Sequence, residues 1–217
     1  MSKIRALLFD MDGVIVDSMP YHFFAWYEAL KKYGITVSTQ DIYEHEGEKW
    51  EITLKHYLTQ NGLPSDLAFQ RKIFNYRQKL FHKIFRRHIM PGIPELLREL
   101  KAQKYQLGLV SGTPSGDMPR LISRPLLKLF DCVVGGDMVT HSKPHPEPYL
   151  AAAEKLALRP AECLVIENAP LGIRSAKAAQ MRCLAVTTSL PESYLKQAGA
   201  DWVCGIRDLR RQIFKII

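Results

Sequence analysis

Short β-rich runs separated by helical patterns constrain this 217-residue chain more than any other feature. The runs cover residues 4–9, 106–111, 131–135, 163–167, 183–188 and 201–204. From about residue 91 onward, helical patterns over 94–104, 119–130, 146–156, 170–180 and 192–198 fall between them. Several helical patterns open on a proline (Pro94, Pro119, Pro146, Pro170), which suits a first helical turn, where no N–H is needed. Strands joined through helices pair in parallel, so the pattern predicts an α/β fold: a Rossmann-like parallel sheet with helices on both faces.

Residues 19–89 have a different texture, with aromatic and charged residues at helical spacing. The stretch 21–33 places Phe23, Trp26, Tyr27 and Leu30 on one face, and 52–58 and 67–89 continue the pattern. Asn61-Gly62-Leu63-Pro64 interrupts it. This predicts a small inserted α-helical cap domain over 18–90, with the core built from 1–17 and 91–217. Residues 18–20 and 90–92 would be the two hinge connections. Residues 69–90 carry Arg71, Lys72, Arg77, Lys79, Lys83, Arg86 and Arg87 and no acid. The run reads first as a solvated helix face, and second as a positive field for phosphorylated ligands.

Bulk composition narrows the partners. Hydrophobic content of 47% and charged content of 24% are those of an ordinary soluble domain. A net charge of +8 admits anionic ligands, but no nucleic-acid recognition motif accompanies it, so nucleic acid is not an expected partner. No apolar stretch reaches membrane-spanning length, and the residues from Met1 to Arg5 lead directly into the first run without an apolar leader. A cytoplasmic protein is expected, and a monomer. Cys132, Cys163, Cys183 and Cys204 lie in or beside apolar runs, with no metal-ligand spacing, and read as buried free thiols.

Four strand ends carry chemistry. Ala6 to Phe9 runs into Asp10, Asp12 and Gly13, two carboxylates at i, i+2 before an exit turn. Ligands of open α/β sheets collect at such carboxyl ends. Two acids there repel, and they make sense if a cation and an electrophile share them. A carboxylate at Asp10 can attack phosphorus, and Asp12 can move a proton to and from the exchanging oxygen. Mg2+ suits such a site, since it takes few carboxylates together with substrate phosphate. Ser111, Gly112 and Thr113 end a second run, offering a hydroxyl and approachable backbone to a phosphate oxygen. In Ser142-Lys143-Pro144-His145-Pro146-Glu147-Pro148, the prolines stiffen a loop and fix where Lys143 points. Glu167 and Asn168 end a fourth run and offer oxygen to a hard cation, although Asn168 also suits a helix cap.

Taken in order, these four stretches closely resemble the motifs of the haloacid dehalogenase superfamily of phosphotransferases. Asp10, Asp12 and Gly13 match its first motif, Ser111 its second, Lys143-Pro144 its third, and Glu167 with Asn168, imperfectly, its fourth. The resemblance implies a nucleophile and metal ligand at Asp10. It implies a general acid/base at Asp12, whose backbone carbonyl also meets the metal. Ser111 and Lys143 would hold the phosphoryl group, Glu167 and Asn168 would bind Mg2+, and the intermediate would be an aspartyl phosphate.

The segment from Asp17 to Trp26 is similar to the β-phosphoglucomutase-type subgroup, in which the histidine matching His22 positions the acid/base aspartate. Two departures stand out. Asn168 replaces the usual aspartate and removes a negative charge. Gly47 is flanked by Glu46 and Trp50, where the mutases have a lysine and an arginine that grip a second phosphate. Gly47, Glu48 and Trp50, with His22, are the expected substrate-choosing residues. These departures favour a Mg2+-dependent phosphatase of a small phosphorylated metabolite, a sugar phosphate by preference. A phosphosugar mutase is the second reading, and a catalytically weak phospho-ligand binding protein the third.

Overall fold

The structure is a computed structural model that describes residues 3–217; Met1 and Ser2, the first residues of the expected 1–17 segment, lie outside it. The strands are β1 (Ala6–Phe9), β2 (Gln106–Val110), β3 (Cys132–Val134), β4 (Cys163–Glu167), β5 (Arg182–Val186) and β6 (Trp202–Cys204). Among the described residues they form one sheet, ordered β3-β2-β1-β4-β5-β6, with every neighbouring pair parallel. The fold is α/β, as the alternation predicts.

β1 lies at the centre and is buried along its whole length. Its two faces feed two cores. Leu7 and Phe9 pack with Leu107, Leu109, Leu164 and Ile166 on one side, and Ala6 and Leu8 with Val110, Cys163 and Val165 on the other. Period-two alternation in a strand buried on both faces explains a run with no polar residue. The first face is covered by α5 (Ile93–Ala102) and α11 (Leu209–Ile216). Ile93, Leu96, Leu97 and Leu100 form the stripe of α5 at i, i+3, i+4 and i+7, each adding ~1.5–3 kcal/mol by burial. α8 (Glu147–Lys155), α9 (Pro170–Ala178) and α10 (Glu192–Gln197) cover the second.

Successive strands run from β1 to β2 and β3 on one side, and from β4 to β5 and β6 on the other. The order reverses between β1 and β4, and the crevice at such a reversal is where open α/β sheets bind ligands. In-register pairing of Phe9 with Leu109 and Ile166 sets the ends of β1, β2 and β4 side by side at one edge of the sheet, with Asp10 level with Glu167 and Ser111 one residue further along its strand. The Asp10 N–H bonds the Ile166 carbonyl at 2.9 Å, and the Ser111 N–H bonds Val134 at 3.0 Å, extending the ladder to these residues.

Between β1 and α5 lie α1 (Met19–Lys31), α2 (Thr39–Glu44), α3 (Trp50–Gln60) and α4 (Leu67–Ile84). They enclose a third apolar cluster around Trp26, Leu30, Ile42, Leu54, Leu58 and Ile73. Their two links to the sheet are tied to each other. The Met90 N–H bonds Ile15 and the Asp17 N–H bonds His88, each at 2.9 Å.

Several boundaries differ from those the sequence suggests. The helix expected over 119–130 is two short ones, α6 (Met118–Leu121) and α7 (Arg124–Leu127), because Pro125 cannot donate into a continuous helix and restarts it instead. The helix expected over 67–89 stops at Ile84; Phe85 turns extended, and Ile89 bridges to Val16. α2 is an addition, and its signal was present: Ser38 accepts the Asp41 N–H while Asp41 accepts the Ser38 N–H, a reciprocal cap. Cys132, Cys163 and Cys183 are buried free thiols, but Cys204 is only half-buried. No helix among the described residues is long and apolar enough to cross a membrane.

Candidate active site

The layer at the strand ends is built around one lysine. Lys143 Nζ donates to Asp10 Oδ1 and to Glu167 Oε1, each at 2.6 Å. The loop that presents it is held by Glu147, whose two oxygens accept the Thr140 N–H at 2.6 Å and the His141 N–H at 2.8 Å. Burial alone would pull the Lys143 ammonium down, but the charges of Asp10 and Glu167 and their hydrogen bonds more than reverse this and keep it an ammonium. For Asp10 the balance is opposite. Burial pushes its carboxyl up, Lys143 pulls it down, Glu167 and Asp12 push it up again, and the outcome is well above the ordinary carboxylate range. Oδ2 of Asp10 accepts no hydrogen bond from any described residue.

Glu167 is fully engaged. Its Oε1 accepts from Lys143 and from the Tyr149 hydroxyl at 2.8 Å, and its Oε2 from the backbone N–H groups of Asn168 at 2.8 Å and Ala169 at 3.1 Å. Four donors fill the four lone-pair positions of a carboxylate, so Glu167 meets an ion directly only by losing one of them. Asn168 donates from Nδ2 to Ser189 Oγ at 2.7 Å, while its Oδ1 is buried with no partner. An orphaned buried acceptor carries a desolvation penalty of about 1–3 kcal/mol unless something occupies it. Asp10 Oδ2 and Asn168 Oδ1 are hard oxygens of the kind Mg2+ takes, so the residues present fit a divalent cation. Gly13, at φ +80, gives Asn168 its room: a Cβ there would lie 2.1 Å from Nδ2.

Asp12 occupies a contrasting environment. Its Oδ1 accepts from Ser18 Oγ at 2.5 Å and from His22 Nε2 at 3.1 Å, and Ser111 Oγ stands 3.5 Å from Oδ2. Burial raises this carboxyl, but the His22 and Ser18 hydrogen bonds and the charge of Arg77 outweigh it, leaving Asp12 below its ordinary value. Arg77 also contacts His22 Nδ1 through its Nη2. A guanidinium only donates, so Nδ1 accepts, and His22 carries its hydrogen on Nε2, directed at Asp12.

Arg77 corrects a sequence expectation. It belongs to the basic run read as a solvated face, yet it is buried, with its guanidinium 5.0 Å from the Trp26 ring and 5.1 Å from the Phe81 ring. Burial, against the pull of Glu46 and Asp12, lowers it to about 10. Sequence reasoning also missed Ser18 as a partner of Asp12 and Tyr149 as a partner of Glu167. Ser18 lay in the expected hinge, and nothing local to α8 marks Tyr149.

A cavity of about 500 Å3 lies between the helices and the sheet, lined in part by His22, Glu46, Gly47, Trp50, Gly112 and Thr113. Trp50 stacks on Phe74 at 4.3 Å and 12°. Burial is the main force raising the Glu46 carboxyl. Asp10, Asp12, Ser111, Lys143, Glu167 and Asn168 do not line this cavity. They are packed behind it: Gly47, at φ +90, presses on Lys143, so that a Cβ would stand 2.9 Å from the lysine Cδ, and His22 covers Asp12. The helical segment is also fastened to the Lys143 loop. Lys49 Nζ bonds the Thr140 carbonyl at 2.7 Å, and the Lys49 N–H bonds Ser142 Oγ at 3.2 Å.

Known proteins resemble this chain over most of its length. The chain is 31% identical over 205 residues to a phosphorylated carbohydrates phosphatase of Thermotoga maritima, covering 91% of this chain and 92% of that one. It is 31% identical over 208 residues to a beta-phosphoglucomutase of Bacillus subtilis, covering 92% and 88%. The crystal structure of a beta-phosphoglucomutase from Clostridium difficile superposes with a TM-score of 0.83 at 26% identity, covering 98% of this chain and 96% of that one. The sequence pattern of haloacid dehalogenase-like hydrolases matches residues 7–186, and the chain belongs to that family.

Proposed function

We propose that this chain is a divalent-cation-dependent phosphatase acting on a small phosphorylated sugar through an aspartyl phosphate on Asp10. One observation carries the reading: Lys143 neutralises Oδ1 of a buried Asp10 and leaves Oδ2 free, at the same edge of the sheet as Ser111 and beside an acid, Asp12, tuned the opposite way. Two carboxylates with divergent environments are the usual basis for divided roles.

Asp10 Oδ2 attacks phosphorus, and the bond from phosphorus to the ester oxygen breaks. Asp12 gives the leaving alcohol its proton. Water then attacks the acyl phosphate and Asp12 takes the water's proton, so that inorganic phosphate leaves and the Asp10 carboxylate is restored. Asp12 rests ionised and must gain a proton before the first step; the negative charge of an arriving phosphate raises its affinity for one. Ser111 and Lys143, with the backbone of Gly112, are the groups that would orient the phosphoryl oxygens. A divalent cation held by Asp10, the Asp12 carbonyl and Asn168 would supply the charge that lets two anions approach. Because these residues lie behind Gly47 and His22, the helical segment acts as a cap that opens to admit substrate.

The distal part of the substrate would occupy the cavity. Trp50 and Phe74 offer an apolar ring face, and Glu46 repels a second phosphate, which favours hydrolysis of a monophosphate over a bisphosphate-forming mutase cycle. Phosphorylated carbohydrate is what the Thermotoga maritima relative is named for acting on. Phosphate release from p-nitrophenyl phosphate and a panel of hexose and hexitol phosphates, with Mg2+, tests the reading against Asp10→Asn. Equal silence of both proteins overturns it. Conversion of a hexose 1-phosphate to its 6-phosphate without phosphate release would assign the mutase reaction instead.

A further inference from the structure

Two histidines flank Lys143 on the loop before α8, and neither takes part in the chemistry above. We propose that His141, His145 and Glu147 form a second cation site, separate from the Asp10 layer and suited to a transition ion of borderline softness such as Zn2+ or Ni2+.

Geometry carries this. One ligand atom from each of the three side chains lies within 4.8 Å of the other two. The two imidazoles face each other with centroids 4.4 Å apart and planes inclined at 30°. Both turn Nδ1 towards one oxygen: His141 Nδ1 is 2.8 Å from Glu147 Oε2, and His145 Nδ1 is 3.9 Å from it. Ligands about 2.0–2.1 Å from a tetrahedral ion stand roughly 3.3–3.4 Å from one another. The two separations from Glu147 Oε2 straddle that value, each differing from it by about half an ångström, and the two imidazoles close on an ion by turning about their side-chain bonds.

Ligation exchanges protein contacts for the ion. The Glu147 N–H donates to His145 Nδ1 at 3.2 Å, so that nitrogen carries no proton and gives up this one bond to take an ion, while His141 Nδ1, 2.8 Å from Glu147 Oε2, gives up the proton it donates there. Glu147 is held ionised, its carboxyl pulled down to about 2 by the Thr140 and His141 N–H groups and then by the His141 ring. Imidazole favours Zn2+, Ni2+ or Cu2+ over the hard Mg2+, so the two sites select different ions. His141 and His145 are open to solvent, with side chains 61% and 49% exposed, and an ion needs no opening of the fold to reach them.

Occupancy would matter to the enzyme because of where the loop sits. The segment 140–147 carries Lys143 between the two histidines and receives both hydrogen bonds from Lys49. An ion bridging residues 141 and 145 ties together the two sides of the loop that presents the ammonium and on which the cap rests.

Zn2+ titration by calorimetry into the full chain, with excess Mg2+ present, tests the site. The wild type is expected to take up one equivalent at least about tenfold more tightly than His141→Gln/His145→Gln, and to gain thermal stability that the double variant does not. Co2+ gives a second readout, a visible absorption band of low-symmetry nitrogen coordination present in the wild type and absent from the variant. His145→Gln alone keeps the His141–Glu147 hydrogen bond and guards against loss of loop structure. Mg2+-dependent phosphate release without Zn2+ is expected to be unchanged in all three proteins. Equal Zn2+ affinity in wild type and double variant, or Zn2+ uptake that Mg2+ competes away, overturns the proposal.

Discussion

Asp10 is a residue held against its own preference. It is buried beside two other acids, with one ammonium in direct contact, and its carboxyl sits well above the ordinary range. Asp10→Asn keeps the acceptor for Lys143 and removes the charge. Hydrolysis is expected to fall by about 10³-fold or more, since the proposed covalent route would be lost. The cation-free variant is also expected to melt higher than the wild type, by about 2–4 °C for each kcal/mol of relieved repulsion. Calorimetry beside a phosphate-release assay checks both, and a variant that is inactive and less stable contradicts the electrostatic account. Asn168 poses the reverse question. Its Oδ1 is an orphan, and as an amide it offers a cation a dipole where a carboxylate would offer a charge. Asn168→Asp is expected to lower the Mg2+ concentration for half-activation by about tenfold, equivalent to ~1.4 kcal/mol. It gives up the Nδ2 bond to Ser189, whose hydroxyl can turn and donate instead. An unchanged Mg2+ requirement would remove Asn168 from the cation site.

The elements explain why some of these residues are legible in sequence and others are not. A buried strand leaves little choice about where its chain emerges, so apolar runs ending in Asp10, Ser111 and Glu167 mark the layer directly. Lys143 is legible for a related reason: prolines at alternate positions leave its loop few conformations. Helix faces are less transparent. Gln70, Ile73, Arg77 and Phe81 are the buried positions of α4, spaced three, four and four, so Arg77 occupies the apolar stripe itself. Read by charge alone, it is one of seven basic residues on a solvated face; read by phase, it is the one pointing inward. Tyr149 and Ser18 have no such marker, because their roles come from contacts with Glu167 and Asp12 that only the folded chain creates. Gly172 shows the same dependence. In an exposed helix, alanine in place of glycine stabilises by about 1 kcal/mol. Here a Cβ would lie 1.7 Å from Glu167 Oε1, in the first turn of α9. Gly172→Ala is therefore expected to lower the melting temperature and to cut activity by displacing Glu167 from Lys143 and Tyr149. A rise in melting temperature with full activity would show that α9 yields where the packing says it cannot.

Over the whole molecule, the excess of buried negative charge makes stability, pH and cation binding a single coupled quantity. Asp10, Asp12 and Glu167 stand against Lys143, and Glu46 and Arg77 are close enough to influence them. The folded chain holds the protons of Asp10 and Glu46 more tightly than the unfolded chain does. Their contribution is fully present below the unfolded carboxylate range and is lost as pH rises through the raised folded values. Asp12, Glu147 and Asp41 work in the opposite sense: their carboxyls are depressed in the fold, so the stability they add is present above the unfolded values and is lost as pH falls through the folded ones. Without a divalent cation, stability is thus expected to peak in mildly acidic solution and to decline towards alkaline pH. On the proposed reading Mg2+ would change the upper limb, because an ion ligated by Asp10 would bind the ionised carboxylate and compete with its proton. The melting-temperature gain from a fixed Mg2+ concentration should therefore grow as pH rises above the ordinary carboxylate range, and should shrink in Asp10→Asn, where no proton is displaced. Differential scanning calorimetry of both proteins at several pH values, with and without Mg2+, measures the effect. A gain independent of pH, or equal in the two proteins, would mean that the cation binds away from Asp10 and that the negative layer at the strand ends is balanced by something other than an ion.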